Sequence, residues 1–308
     1  MGVFQKGLKC PVCAGPLREG RKLPYCSKVC EAAVEGYQSK SNNYDLKKLI
    51  SEVKATTAWK PCDLDKILHV QSPKVGVISD LHAPMHSEKW LLQAVRTFIH
   101  FGIKHVILNG DSINADQIGR HHGSYFNRRK NLEDDLDALE SVLKLLRKYF
   151  DHIYIDAGNH CMRLVHRMGG ELSFNRLMKM VYNNDDEKIH VTSRSFVFVN
   201  NIIEVIHPRQ YRRSRGALPQ QLSQRWQKSV ILGHQHHSAM TVSPCGNFQA
   251  CDVGTMVDVE LQDYVRNERN DFPEPVNGFA VIFGDRIQTF DKFTNWELFG
   301  LPELGSAA

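Results

Sequence analysis

Five short blocks of histidine, aspartate and asparagine constrain this chain more than any other feature, because each follows a run of apolar residues. Short apolar runs bounded by polar residues are typical of buried strands. In open α/β sheets, ligands bind beyond the carboxyl ends of the strands. We therefore expect the blocks to meet at one edge of a sheet and to form a single site. The blocks are Asp80-Leu81-His82, Gly110-Asp111, Gly158-Asn159-His160, His207 and Gly233-His234-Gln235-His236.

Patterns of strands and helices alternate from Lys74 onward. The spacing of the leucines predicts a helix over Asn131 to Phe150, and Asn131 with Asp134 offers a cap at its N-terminus. The second half of the chain is richer in strand patterns, among them one continuous strand over Val191 to Val199. This order predicts an α/β fold in which two sheets pack between helices.

Four of the eight cysteines crowd near the N-terminus in two close pairs that are separated by twelve residues. Thiolates two or three residues apart can bind one ion, and zinc is the usual occupant of a four-cysteine site. The alternative is a set of unrelated buried thiols in a reduced protein. We expect one structural zinc ion, bound by Cys10, Cys13, Cys26 and Cys30.

The same patterns suggest how the chain divides. We expect a zinc-binding module over residues 1–35 and a linker over 36–72 that partly packs on the next domain. The catalytic domain should cover residues 73–294, followed by a C-terminal tail over 295–308.

The net positive charge of the chain comes from its N-terminal quarter, because Lys+Arg and Asp+Glu balance in the rest. Residues 1–72 hold 12 Lys+Arg and 7 Asp+Glu, a surplus of 5, which equals the formal net charge of +5 for the whole chain. A modest positive surplus suits an acidic partner such as nucleic acid. No stretch approaches the roughly 20 apolar residues of a membrane span, and the N-terminus lacks the apolar core of a signal peptide. We expect no membrane association and a cytoplasmic location.

The residue types in the five blocks are those that bind divalent metals. Carboxylate and amide oxygens together with imidazole nitrogens accept manganese, iron, zinc or nickel. Asp111 has two carboxylate oxygens and could bridge two ions. The preceding glycine would let the backbone approach closely. A single block of this kind has little meaning, whereas five in order favour a metal site.

Taken together, the blocks resemble the signature of the calcineurin-like metallophosphoesterases over about 220 residues, Lys74 to Phe293. The resemblance implies a four-layer α/β/β/α sandwich and two divalent ions, of which manganese is favoured. It implies that one ion is bound by Asp80, His82, Asp111 and His236. It implies that the other is bound by Asp111, Asn159, His207 and His234. His160 is then the catalytic histidine beside the metals, and a metal-activated hydroxide attacks the phosphorus.

Two positions depart from the pattern of that family. The family often places a carboxylate where this chain has Asn114, and that group orients the catalytic histidine. It also often places Asp or Glu after Gly-Asn-His, where this chain has Cys161. A histidine without a carboxylate partner should have a lower pKa and be a poorer general acid. Asp116 is a candidate substitute.

Arginines after two of the blocks are candidates for substrate binding. Guanidinium groups could hold the flanking phosphates of a polynucleotide. Alternatively, these are solvated charged loops that pair with the acidic run Glu133-Asp134-Asp135. The candidates are Arg163, Arg209, Arg212 and Arg213.

We therefore expect a dinuclear phosphodiesterase that acts on DNA or RNA. One alternative is a phosphomonoesterase or protein phosphatase. Another is a nucleic-acid-binding protein with a vestigial metal centre.

Overall fold

The computed structural model of the protein describes residues 4–10, 16–18, 27–31, 53, 66–118, 131–182, 186–261 and 273–302. The chain divides into two compact units, Met1–Leu64 and Asp65–Ala308. In the first unit, β1 (Phe4–Lys9) and β2 (Pro16–Arg18) pair as antiparallel strands. Cys10 and Cys30 are buried, while Cys13 and Cys26 lie outside the described residues. The four-cysteine zinc site therefore stays a prediction.

The second unit contains all other strands and helices described below. Its strands are β3 (Leu68–Val70), β4 (Lys74–Ser79), β5 (His105–Asn109), β6 (His152–Asp156), β7 (Ile189–Val191), β8 (Phe196–Val199), β9 (Ile203–Ile206), β10 (Ser229–Leu232), β11 (Ser238–Val242), β12 (Gln249–Val253), β13 (Gly278–Phe283) and β14 (Arg286–Asp291). Its helices are α1 (Glu88–His100), α2 (Leu132–Tyr149), α3 (Cys161–Arg167), α4 (Phe174–Val181) and α5 (Ala217–Trp226). Short 3-10 helices cover Asp116–Ile118, Val259–Leu261 and Trp296–Phe299.

These strands form two six-stranded sheets. Sheet I has the order β14-β13-β4-β5-β6-β7, and sheet II has the order β11-β12-β10-β9-β8-β3. Within sheet I, β4, β5, β6 and β7 are parallel neighbours. Within sheet II, β10 is parallel to both β9 and β12. The carboxyl ends of each parallel set therefore lie along one edge of its sheet.

Apolar side chains separate the layers at three levels. One cluster packs α1, α2 and neighbouring helices on sheet I, a second lies between the sheets, and a third packs α5 on sheet II. Phe98, Ile107 and Leu222 represent the three levels and are each at most 7% exposed. Burying a side chain of this size contributes about 2 kcal/mol. The layers follow the order α/β/β/α, so the predicted four-layer sandwich is confirmed.

Helix α2 begins and ends where the leucine pattern placed it. The Asn131 side chain accepts a hydrogen bond from the backbone N–H of Asp134, whose carboxylate accepts one from the N–H of Asn131. This reciprocal cap satisfies two donors that a helix start otherwise leaves open. Leu139, Leu143 and Leu146 are buried against sheet I. The predicted helix and its cap are confirmed.

The strand predicted over Val191 to Val199 is wrong, because this stretch forms two strands in different sheets. Strand β7 ends at Val191 in sheet I, and β8 begins at Phe196 in sheet II. Between them, the backbone N–H of Thr192 still donates to Ile155 in sheet I. Both strands consist largely of apolar residues that are buried or partly buried, so their composition does not show that they belong to different sheets.

Both ends of the second unit contribute to its packing. Strand β3 lies within the expected linker 36–72 and pairs with β8 in sheet II. Trp296 and Leu301 lie within the expected tail and are each 6% exposed against the core. Within the described residues, no helix is long and apolar enough to span a membrane.

Candidate metal centre

The five polar blocks meet where the two sheets present their carboxyl ends. Strands β4, β5 and β6 of sheet I deliver three blocks, and β9 and β10 of sheet II deliver the other two. Four of the eight side chains concerned are buried, and the other four are partly buried. The residues brought together are Asp80, His82, Asp111, Asn159, His160, His207, His234 and His236.

Five of these residues adopt a left-handed backbone conformation that non-glycine residues rarely occupy. The φ angles are 53° at Asp80, 48° at His82, 36° at Asp111, 72° at His234 and 55° at His236. Each such residue costs about 1–2 kcal/mol relative to an ordinary conformation. Such strain is concentrated at functional sites, where the surrounding fold holds it in place.

Two glycines allow neighbouring blocks to touch. Gly110 has a φ of 65°, and a Cβ atom there would overlap the ring of His207. A Cβ atom at Gly158 would overlap Asp111. These glycines therefore permit side chains from different strands to approach one another.

One carboxylate oxygen of Asp111 faces two separate groups of histidines. Asp111 Oδ2 lies 3.2 Å from His207 Nε2 and 3.9 Å from His82 Nε2. The other oxygen, Oδ1, accepts a hydrogen bond of 2.7 Å from the backbone N–H of His160. The carboxylate is thus fixed through Oδ1 and presents Oδ2 to both groups.

Further contacts complete each group. Asp80 Oδ1 lies 3.2 Å from His236 Nε2 and 3.9 Å from His82 Nε2. Asp80 Oδ2 accepts hydrogen bonds from the Ser79 hydroxyl, 2.6 Å, and from the backbone N–H of His234, 2.8 Å. In the other group, Asn159 Oδ1 lies 3.3 Å from His207 Nε2.

These spacings fit divalent metal ions. Two ligand atoms that are each about 2.1 Å from one ion lie roughly 3–4 Å apart. His82 Nε2 is buried and makes no hydrogen bond to any residue within the described ranges. This is what we expect of a nitrogen atom that binds a metal ion. In the part of the chain that the structure describes, three residue groups have the spacing to hold an ion: Asp80 with His82 and His236, His82 with Asp111 and His160, and Asp111 with His207 and His234.

The electrostatics of the site favour bound positive charge. Burial alone would raise the pKa of Asp80, but His207 and His236 outweigh it and hold that pKa well below its usual range. Burial likewise opposes ionisation of Asp111, yet His207 and His160 lower its pKa. In return, Asp111 and Asp80 raise the pKa of His207 to about 10 against the effect of burial. Two ionised carboxylates in a buried pocket attract cations.

Polar contacts at both ring nitrogens hold the imidazole of His160 in place. Its Nδ1 lies 2.6 Å from the backbone carbonyl oxygen of Asn114, and Arg163 Nη2 donates to its Nε2 over 2.8 Å. Arg163 also forms an ion pair with Asp116, whose Oδ1 is 3.7 Å from His160 Nδ1. Burial lowers the pKa of His160 to about 3, with His82 and Arg163 adding to the shift while Asp111 and Asp116 oppose it.

Comparison with known proteins agrees with this geometry. Residues 73–284, more than half of the chain, match the family model of calcineurin-like phosphoesterases. The chain belongs to this family. The predicted membership is confirmed, and with it the prediction of a metal-dependent phosphoesterase, a hydrolase of phosphate esters. Among curated proteins, none matches the sequence.

Several solved structures are similar to this phosphoesterase. Yfce, a phosphoesterase from E. coli, is 13% identical, with 70% of this chain and 90% of that chain covered and a TM-score of 0.37. Vacuolar Protein Sorting 29 from Cryptosporidium parvum is 13% identical, with 71% and 98% covered and a TM-score of 0.34. A predicted phosphoesterase from Streptococcus pneumoniae is 11% identical, with 71% and 97% covered and a TM-score of 0.26. The family assignment rests on residues 73–284.

The two departures from the family pattern have different surroundings in this phosphoesterase. The Asn114 side chain bonds to His82 Nδ1 at 3.2 Å and donates to Asp116 at 3.0 Å. The Cys161 side chain is fully buried, and its Sγ accepts a hydrogen bond from the backbone N–H of Ser112. Burial raises the pKa of Cys161 to about 12. Asn114 is thus part of the site, whereas Cys161 is a core residue beneath it.

The candidate arginines of the phosphoesterase divide into two sets. Arg163 points towards His160 and Asp116, as described above. Arg209, Arg212 and Arg213 are exposed on the segment that follows His207. The basic residues of 119–130 lie outside the described residues.

Sequence reasoning missed two buried polar residues near the site. Gln235 stands between His234 and His236 and is 3% exposed, and Asp252 at the end of β12 is 1% exposed. Gln235 Nε2 donates to Asp252 Oδ1. The available sequence signal was Asp252, an aspartate one residue before the end of an apolar strand.

Proposed function

We propose that the phosphoesterase is a dinuclear phosphodiesterase that acts on nucleic acid. The observation that carries the dinuclear part is the position of Asp111 Oδ2, which faces His207 on one side and His82 on the other. A single carboxylate oxygen shared by two ligand groups is what a bridging ligand requires.

The proposed ligand sets follow the two groups. Asp80, His82, Asp111 and His236 would hold one ion, and Asp111, Asn159, His207 and His234 would hold the other. The mixed oxygen and nitrogen donors suit manganese, with iron, zinc or nickel as alternatives. When bound, such ions neutralise the charge of the ester and lower the pKa of water so that hydroxide forms at neutral pH.

His160 and Arg163 are proposed to act on the bound ester. The carbonyl oxygen of Asn114 accepts a hydrogen bond from His160 Nδ1–H and fixes the ring, so proton transfer would take place at Nε2. Arg163 donates to that atom here. We infer that the guanidinium turns to a phosphate oxygen when the ester binds, leaving Nε2 to take up the proton that water loses on forming hydroxide and to deliver it to the leaving oxygen.

Nucleic acid is proposed as the substrate because of the exposed arginines beside the site. Arg209, Arg212 and Arg213 follow the ligand His207 closely, and guanidinium groups bind phosphates with two parallel hydrogen bonds. The rival interpretation pairs these charges with the acidic run at the start of α2. There, Asp134 caps the helix and Asp135 accepts a hydrogen bond from the N–H of Ala115. Two of its three carboxylates therefore already have partners.

A substrate panel with manganese-loaded protein tests the proposal. It should include bis-aryl and mono-aryl phosphates, single- and double-stranded DNA, RNA, cyclic nucleotides and a phosphopeptide, with Asp111→Asn as the blank. We expect hydrolysis of the bis-aryl phosphate and of at least one polynucleotide. Preference for the monoester or phosphopeptide would instead identify a phosphatase. Binding of nucleic acid without any hydrolysis would identify a vestigial centre.

A further inference from the structure

A buried pair of side chains connects the metal-binding histidines to the exposed arginines. The Gln235 side chain lies between His234 and His236 in sequence and is almost fully buried. Its Nε2 donates to Asp252 Oδ1 over 2.5 Å, and its Oε1 accepts from the backbone N–H of Arg212 over 2.8 Å. One side chain thus joins β12, the histidine loop and the arginine segment.

The same pair holds the arginine segment at a second point. Asp252 Oδ2 accepts a hydrogen bond of 2.7 Å from the backbone N–H of Gly216. Gly216 has a φ of 75° and precedes α5. The segment from Arg212 to Gly216 is therefore fixed at both ends by Gln235 and Asp252. Its exposed side chains extend from a backbone that buried groups hold in place.

A third contact lies beside the pair. The Tyr211 hydroxyl is 3.4 Å from His237 Nε2, and the two rings meet edge to face with centroids 5.6 Å apart. The His237 side chain is buried and lies 4.0 Å from Asp252 through its Nδ1. The segment thus has backbone and side-chain contacts to the same buried group of residues.

The burial of these two polar side chains reduces the stability of the fold. Burying a carboxylate and an amide away from water is unfavourable, and their hydrogen bonds recover only part of that cost. Apolar residues would pack these positions without this cost. Both oxygens of Asp252 and the amide of Gln235 are instead used to fix one short backbone segment next to the metal ligands.

We propose that Gln235 and Asp252 are positioning residues for substrate specificity. They hold the arginine segment at a set distance from the metal centre, so that its guanidinium groups bind phosphates that flank the scissile ester of a polyanion. This inference rests on the proposed phosphodiesterase function. It predicts that the pair matters for polynucleotides and not for small diesters.

The test compares Gln235→Met and Asp252→Asn with the parent enzyme in manganese. Asp252→Asn keeps one acceptor for the segment and guards against misfolding of the first variant. Gln221→Met, at an exposed position of α5, is the matched control. The KM and kcat are measured on bis(4-nitrophenyl) phosphate and on a single-stranded oligonucleotide at several salt concentrations.

We expect the KM for the oligonucleotide to rise about tenfold in both variants, while the kcat and KM for the small diester stay unchanged. The slope of log KM against log salt should fall by about 0.7 for each phosphate of the single strand that the protein no longer binds. In an Arg212→Ala/Arg213→Ala background, Gln235→Met should have little further effect, because the two changes act on one interaction.

Parallel losses on both substrates would overturn the inference, since they would show a general role in holding the metal ligands. Unchanged KM for the oligonucleotide in both variants would also overturn it. If the parent hydrolyses no diester, the proposed function fails. Oligonucleotide affinity and its salt dependence, measured by fluorescence anisotropy, then still decide whether the pair positions the arginine segment.

Discussion

Nδ1 of His160 lies 2.6 Å from the backbone carbonyl oxygen of Asn114, the position at which the resemblance led us to expect a carboxylate. A carbonyl oxygen only accepts hydrogen bonds, so Nδ1 carries the proton. The carbonyl oxygen provides no full negative charge to stabilise an imidazolium. The Asp116 carboxylate is 3.7 Å from Nδ1 and is already paired with Arg163. The orientation of the histidine is thus preserved with less support for its charged form.

Replacement of His160 should reduce kcat more for substrates with poor leaving groups than for substrates with good ones. We expect His160→Asn to retain its metals but to lose about 10²- to 10⁴-fold in kcat on alkyl diesters, the usual contribution of a general acid. Activated aryl diesters need little protonation and should lose much less. Steady-state kinetics on both substrates check this, with the exposed His166→Asn on α3 as the control. Equal losses on the two substrates would remove His160 from proton transfer.

Replacement of Asp111 should weaken metal binding at both groups. Asp111→Asn removes the charge that faces His82 and His207, and we expect at least a tenfold loss of manganese affinity, since partners behind the ligands alone are worth about 10- to 100-fold. Isothermal titration with manganese measures this. Asp137→Asn, at an exposed position of α2, makes the same change of charge and should bind as the parent does. A variant with parental stoichiometry and affinity would contradict the shared role of Asp111.

Gly110→Ala should disrupt the metal site in addition to straining the backbone. Gly110 and Gly102 have φ angles of 65° and 66°, but only Gly110 would place a Cβ against another side chain, that of His207. We expect Gly102→Ala to cost about 1–2 kcal/mol of stability with full activity. Gly110→Ala should cost more and lose manganese binding. Urea unfolding and metal titration of both variants test this, and similar results for the two would contradict the close contact.

Acid should destabilise the fold through a histidine cluster away from the metal centre. His105, His152 and His190 lie on adjacent strands of sheet I, and the ring centroid of His152 is 4.9 Å from that of His105 and 5.3 Å from that of His190. Burial, followed by repulsion from His152, lowers the pKa of His105 and of His190, against smaller opposing effects of Asp151 and Asp186. The unfolded chain, with histidine pKa values of about 6.5, therefore binds more protons than the folded one in acid.

It follows that the free energy of unfolding should be greatest above about pH 6.5 and fall as the pH drops below it. Urea midpoints at pH 5, 6 and 7, measured in chelator, should show a shallower fall for the double variant His105→Asn/His190→Asn. The exposed His100→Asn on α1 is the control. If the double variant kept the parental slope, the cluster would not be a source of acid sensitivity.

The polar blocks could be predicted from the sequence because each depends on local information. An apolar run followed by Asp, Asn or His predicts both a strand and a side chain at its end, as for Ser79 and Asp80. The four-layer order also follows from alternating patterns. By contrast, the division of Val191 to Val199 between two sheets depends on long-range pairing that the apolar pattern does not contain.

The support around the site was less accessible to sequence reasoning. The contact of His160 with Asn114 is made by a backbone carbonyl, which has no residue type to reveal it. Gln235 and Asp252 are 17 residues apart and meet only because β10 and β12 are neighbours in sheet II. The sequence His-Gln-His does not indicate whether the glutamine is buried or exposed.

Because the chain crosses from sheet I to sheet II between β7 and β8, metal binding and the stability of the fold should be coupled. Asp80, Asp111 and Asn159 follow strands of sheet I, while His207 and His234 follow strands of sheet II. An ion held by Asp111 and His207 would therefore cross-link the two halves of the sandwich. Its binding free energy would oppose separation of the sheets, and a chelator would loosen the whole domain rather than one loop.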